Sequence, residues 1–152
     1  MRWILLAGLI ALSCRPALAV NCHVNGLLPD KLCTPGSILT NVTDKDVCVH
    51  GYTEKVRNVP QSLKREVFAQ YGITKDFGTF EIDHLVSLEL GGSNDISNLW
   101  PEAYANPNGA RVKDQVENYL HAQVCKGNIT LGVAQDAIRD DWTKVYEGIH
   151  KK

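Results

Sequence analysis

The stretch from Thr79 to Trp100 limits the fold more than any other part of the chain. Thr79 to Leu85 alternates Phe80 and Ile82 with Glu81 and Asp83, which is the two-residue period of a strand. Leu90-Gly91-Gly92-Ser93-Asn94-Asp95 follows and is dense in turn residues. Ile96 to Trp100 reads as a short returning strand, ended by Pro101. After Pro107-Asn108-Gly109 a helix begins. Val112, Val116, Tyr119, Leu120 and Val124 form its apolar stripe, and Gly127 follows its end.

Elements on either side complete a small α+β domain. Leu63, Val67 and Tyr71 fall at four-residue spacing and predict a helix over Val59 to Tyr71, with Pro60 in its first turn and Gly72 as its stop. A last helix is expected from Leu131 to Ile149. Its buried face is Leu131, Ala134, Ile138, Trp142, Val145 and Ile149, and Thr130 is its cap. Residues 20–50 are rich in Gly, Pro, Asn, Asp and Thr and read as loop, with one short strand around Val47-Cys48-Val49. Trp100 and Trp142 are expected in the core.

The front of the chain carries an export signal. Met1-Arg2 is followed by an apolar run from Trp3 to Leu12 and by Ala17-Leu18-Ala19, the pattern of a secretory leader cleaved after residue 19. Residues 20–152 then form one domain, secreted or periplasmic, with no membrane association after cleavage. Cys14 leaves with the leader, and Cys22, Cys33, Cys48 and Cys125 remain. Four cysteines in an exported chain point to two disulfides, with three pairings open; Cys22–Cys33 with Cys48–Cys125 is the expected one. No Cys-x-x-Cys occurs, which argues against a zinc ribbon.

Charge narrows the partners. The chain has 16 Lys+Arg against 17 Asp+Glu, and without residues 1–19 the balance is 14 against 17, or −3. A polybasic tail is excluded, so any nucleic-acid contact must come from a local patch.

The chemistry concentrates in Glu81-Ile82-Asp83-His84, Leu90-Gly91-Gly92-Ser93-Asn94-Asp95 and Asn98-Leu99-Trp100-Pro101. At these spacings the stretch resembles the core motif of the HNH endonucleases, the ββα-metal or His-metal finger nucleases. The family-typical part covers about residues 79–125. Cys48-Val49-x-Gly51-Tyr52-Thr53, Lys113-Asp114-x-x-Glu117-Asn118 and Val124-Cys125-x-Gly127 extend the resemblance to exported bacterial HNH-type proteins. The resemblance implies a disulfide-bonded ββα core with additional helices. It also implies metal-dependent hydrolysis of phosphodiester bonds, in DNA before RNA, with low sequence specificity.

Roles follow residue by residue. His84 matches the general base, since a neutral imidazole accepts a proton near pH 7. Its second ring nitrogen needs a holder, for which a backbone carbonyl of the turn is expected. Asp83 offers a hard carboxylate for Mg²⁺, or for Mn²⁺ or another divalent ion. Asn98 matches the family's middle Asn, which braces the loop so that the base is oriented. The family's third position departs from the pattern: no His stands there, and Asn108, ahead of Asn106, is the expected second metal ligand. Neighbours on a strand point to opposite faces, so Asp83 and His84 serve one site only if the strand end bends.

Arg57, Arg111 and Lys113 are candidates to hold phosphate oxygens, and Glu81 shares Asp83's face. Asn41-Val42-Thr43 and Asn128-Ile129-Thr130 are glycosylation sequons, relevant in a eukaryotic secretory pathway. The alternative to catalysis is an exported ββα module that is inactive and binds a protein or cell-envelope partner. The mild acidity and the missing third His favour it.

Overall fold

A computed structural model describes residues 21–104 and 109–151. The expected leader, Asn106 and Asn108 lie outside the described residues. Among the described residues the α-helices and strands are, in chain order, α1 (Asp44–Val47), α2 (Tyr52–Val56), α3 (Gln61–Gln70), β1 (Phe80–His84), β2 (Leu99–Ala103), α4 (Ala110–Cys125) and α5 (Leu131–His150).

β1 and β2 pair antiparallel, with Asp83 opposite Trp100 and His84 opposite Leu99. Two backbone bonds flank this register: Leu85 N–H donates to Asn98 O at 2.8 Å and Tyr104 N–H to Thr79 O at 3.0 Å. Hydrogen-bonded pairs alternate, so Pro101, opposite Ile82, has its nitrogen turned out of the ribbon. Pro101 therefore lies inside β2 and does not end it. Ile96–Asn98 forms a 3₁₀ turn, so the returning strand starts three residues later than expected.

The turn between the strands requires both glycines, for different reasons. Gly91 has φ of 74°, in the left-handed region that L side chains rarely adopt. Gly92 needs space: a Cβ there would lie 1.8 Å from the Val86 carbonyl oxygen and 2.9 Å from Asn98 Nδ2. The segment after Cys33 seals this turn. Leu39 N–H donates to Gly91 O at 2.9 Å and Ser93 N–H to Ser37 O at 3.0 Å.

α4 and α5 pack against each other and against the 3₁₀ turn Leu88–Leu90 between the strands, and α3 packs on β2. Their buried faces are Val112, Val116, Leu120 and Val124 on α4, and Leu131, Ala134, Ile138 and Trp142 on α5. Val145 and Ile149 are partly buried at the edge of the core. Tyr119, expected in the α4 stripe, is exposed. Trp100 and Trp142 are both core, and Trp142 Nε1 donates to Leu27 O at 3.1 Å. Burying a leucine- or isoleucine-sized side chain such as Leu85, Leu99 or Ile138 stabilises by about 1.5–3 kcal/mol each. Thr130 caps α5 by accepting from Val133 N–H. α5 is interrupted at Asp141 (φ −168°, ψ 90°), whose carboxylate accepts from Thr143 N–H and restarts the helix.

No strand forms at Val47-Cys48-Val49; Val47 ends α1. Asp46 Oδ2 accepts from Thr43 N–H at 2.9 Å and from Thr43 Oγ1 at 2.6 Å. This local cap commits the segment to a helical turn that the apolar Val-x-Val pattern does not reveal. Disulfides join Cys22 to Cys33 and Cys48 to Cys125, as expected. The second spans 77 residues and ties α1 to the end of α4. A loop of that length contributes about 4.5 kcal/mol in the chain-entropy model.

Candidate active site at the end of the first strand

β1 ends on Asp83 and His84, and both line one small polar cleft of about 130 Å³. Thr53 and Arg57 close it from the α2 side, Ser87 and Glu89 from the turn, and Glu117 from α4. The two neighbours on β1 thus reach a common space, as a shared site requires.

His84 is 2% exposed. Its Nε2 lies 3.1 Å from Asn94 Oδ1. Asn94 is itself fixed, since its Nδ2 donates to Val56 O at 2.7 Å and its Oδ1 accepts from Asn58 N–H at 3.1 Å. An amide oxygen only accepts, so His84 carries its proton on Nε2 and keeps Nδ1 as the acceptor nitrogen. Burial holds the imidazole below its ordinary pKa, and Arg57 and Lys113 push the same way. Asp83 and the Asn94 bond oppose them without prevailing. The ring is therefore neutral at pH 7. The holder is a side-chain amide and not the backbone carbonyl expected from the sequence. Asn94 reads in the sequence as one turn residue among six, and its link to Val56 is invisible there.

Asn98 is wholly buried and braces the turn. Its Oδ1 accepts from Val86 N–H, and its Nδ2 donates to Val86 O and Ser93 O, each at 2.9 Å. It belongs to the frame of the turn that follows His84.

Lys113 departs most from expectation. It is 0% exposed, and all three protons of its ammonium are spent. Nζ donates to Asp83 Oδ2 at 2.6 Å, to His84 O at 2.7 Å and, by a very short contact, to Glu117 Oε1. It is therefore not available to a phosphate. The signal was its position one residue after Val112 and three before Val116, inside the apolar stripe. Arg57 and Arg111 are exposed, and of the two Arg57 lines the cleft.

Around Lys113 the hairpin's inner face is acidic. Glu102 is 2% exposed; its oxygens accept from no donor, and its carboxyl hydrogen-bonds to Asp83. Burial and the adjacent Asp83 push its carboxyl up to about 9, against the pull of Lys113, so it is neutral at pH 7. Burial pushes Glu117 up to about 8 in the same way. Burial works against the Asp83 carboxylate too, but the charge and hydrogen bond of Lys113 outweigh it and hold Asp83 below the usual range. For Lys113, the surrounding acids overcome burial and raise the ammonium further.

The cleft suits a hard cation better than zinc. Asp83 keeps about a quarter of its side chain exposed, and the ammonium takes only Oδ2. Ser87 Oγ and Glu89 Oε1, both on cleft residues, are buried without a hydrogen-bond partner. An ion that keeps most of its water, as Mg²⁺ does, needs one or two such oxygens. No three His, Cys, Asp or Glu ligand atoms converge in this cleft among the described residues. They converge at Cys48, His121 and Cys125, whose sulfurs are joined to each other.

No family model, curated protein or solved structure matches this chain.

Proposed function

We propose that the protein is an exported, metal-dependent endonuclease of the HNH type that hydrolyses phosphodiester bonds, in DNA before RNA, with little sequence preference. The observation that carries this reading is the pairing of a neutral His84, its tautomer set by Asn94, with the Asp83 carboxylate in one polar cleft. Mg²⁺ or a similar divalent ion, held by Asp83 and by Asn108 or water, would supply positive charge at the scissile phosphate and its leaving oxygen. His84 Nδ1 accepts the proton of the attacking water. Asn94 keeps Nε2 protonated and the ring in place. Asn98 fixes the turn that carries Asn94. Arg57, exposed on the cleft rim, offers a cation to non-bridging phosphate oxygens. The net charge of −3 without the leader accords with weak, salt-sensitive binding. Two disulfides support an oxidising, extracytoplasmic location.

A second reading has its own support. Lys113 already neutralises Asp83, which favours an inactive ββα module that binds a protein or envelope partner. Plasmid nicking separates the two. The 20–152 protein is incubated with supercoiled DNA and Mg²⁺ or Mn²⁺, with and without EDTA, beside His84→Ala. The nuclease reading expects metal-dependent nicking that the variant loses by about 100-fold or more. Nicking that is absent, or equal in the variant, hands the case to the binding module.

A further inference from the structure

Lys113 marks a position where a cation already stands. Three oxygens from two elements surround one point: Asp83 Oδ2 at 2.6 Å, His84 O at 2.7 Å and Glu117 Oε1 closer still. Two are side-chain carboxyl oxygens and one is a backbone carbonyl. Calcium takes oxygens of these kinds at about 2.3–2.6 Å, six to eight in all, so these three would form part of its shell and water the rest. Glu102, buried beside this group and neutral at pH 7, hydrogen-bonds to Asp83 and adds no second charge to it. Taking a lysine out of water and fixing its long side chain is costly, and an apolar residue at this stripe position would pack without that cost. Nor does the helix need a cation here. Lys113 is in the first turn of α4, where the dipole disfavours positive charge.

We propose that the Lys113 ammonium is the protein's built-in cation. It fills an inner, oxygen-lined position at the end of β1 and thereby confines any divalent ion to the outer oxygen of Asp83. Three consequences follow. The domain folds without metal, because the ammonium already neutralises the Asp83 carboxylate. Asp83 is held to one-oxygen ligation, since Oδ2 is taken. The functional ion binds weakly and exchanges readily. The second half of the proposal rests on Asp83 as a metal ligand; the first half does not.

The test is cation-dependent thermal stability of the 20–152 protein, read without any nuclease assay. Wild type is expected to melt within about 1 °C of the same temperature in EDTA and in millimolar CaCl₂, because a weak outer site adds little at that concentration. Lys113→Ala empties the inner position. It should melt lower in EDTA and gain about 5 °C or more in millimolar CaCl₂. Lys113→Ala/Glu117→Gln should lose most of that gain. Lys113→Met refills the space with an apolar chain and should show no gain. Folding of Lys113→Ala only when calcium is present also supports the proposal. Three results overturn it: Lys113→Ala gains no more than wild type, the gain survives Glu117→Gln, or Lys113→Ala stays unfolded with calcium. Absence of plasmid nicking by wild type defeats the nuclease reading and leaves this result standing.

Discussion

His84 Nε2 and Asn94 Oδ1 lie 3.1 Å apart, and that contact leaves Nδ1 as the imidazole's acceptor nitrogen. The same amide reaches Val56 and Asn58, so one side chain joins the turn, the segment after α2 and the imidazole. Asn94→Ala should therefore lower the nicking rate by about 10–100-fold with substrate affinity little changed. Single-turnover cleavage against DNA concentration measures both quantities. Because burial keeps the His84 pKa below its ordinary value, the wild-type rate should already be level at pH 7 and fall only on the acid side. A rate that climbs steeply from pH 7 to 8 would rule out a neutral imidazole base.

Asn98→Ala leaves Val86 N–H, Val86 O and Ser93 O without their partner in a wholly buried place. Each orphaned group costs about 1 kcal/mol or more, so a loss near 3 kcal/mol is expected in urea unfolding. Activity measured well below the melting temperature should also drop, because the turn that carries Asn94 loses its brace. Asn98→Asp should rescue little, since a carboxylate cannot donate to the two carbonyls.

Gly92→Ala should be worse than Gly91→Ala. At position 92 the added carbon meets backbone, the Val86 carbonyl at 1.8 Å, and the turn must open to admit it. A loss of about 3 kcal/mol or more is expected. At position 91 the nearest atoms are side chains, Val42 Cγ1 at 3.3 Å and Gln135 Nε2 at 3.4 Å, and the strain is that of a positive φ. Gly91→Asn tolerates that φ and should cost less than Gly91→Ala. Paired denaturation curves check the order.

Glu102 gives the domain a pH dependence of definite sign. Its folded carboxyl titrates at about 9, well above an unfolded glutamate. Between the two values the folded state holds a proton that the unfolded state has lost, so stability falls as pH rises from about 5 to 9. The slope from one such group is at most about 1.4 kcal/mol per pH unit. Glu117, raised to about 8, adds to it. Glu102→Gln keeps the neutral shape, and its melting temperature should vary less than wild type between pH 6 and 9. Parallel curves for the two proteins would contradict a proton on Glu102.

The legible parts of this fold were those written in local periodicity. Phe80 and Ile82 alternate with acids, and Leu131, Ala134, Ile138 and Trp142 repeat at helical spacing, so β1 and α5 were readable. Asp83, His84 and Asn98 stood out as candidates because three short motifs stand at fixed spacing around Gly91-Gly92. What escaped was decided by distant partners. Asn94 finds Val56 across 38 residues, and Lys113 finds Asp83 across 30. Lys113 reads in sequence as a cation for phosphate oxygens, and only its place in the apolar stripe of α4 hints at burial. Pro101 looked like a strand end because its pairing, which turns its nitrogen outward, belongs to β1 as much as to β2.

The inner face of the hairpin has a consequence for how the domain assembles. Glu81, Asp83 and Glu102 all project from a ribbon of two strands, which is too small to persist in water by itself. The charge that reconciles those acids arrives from α4, later in the chain. Strand pairing and helix docking must then occur in one cooperative step, and the amides of β1 and α4 should exchange with solvent as a single unit.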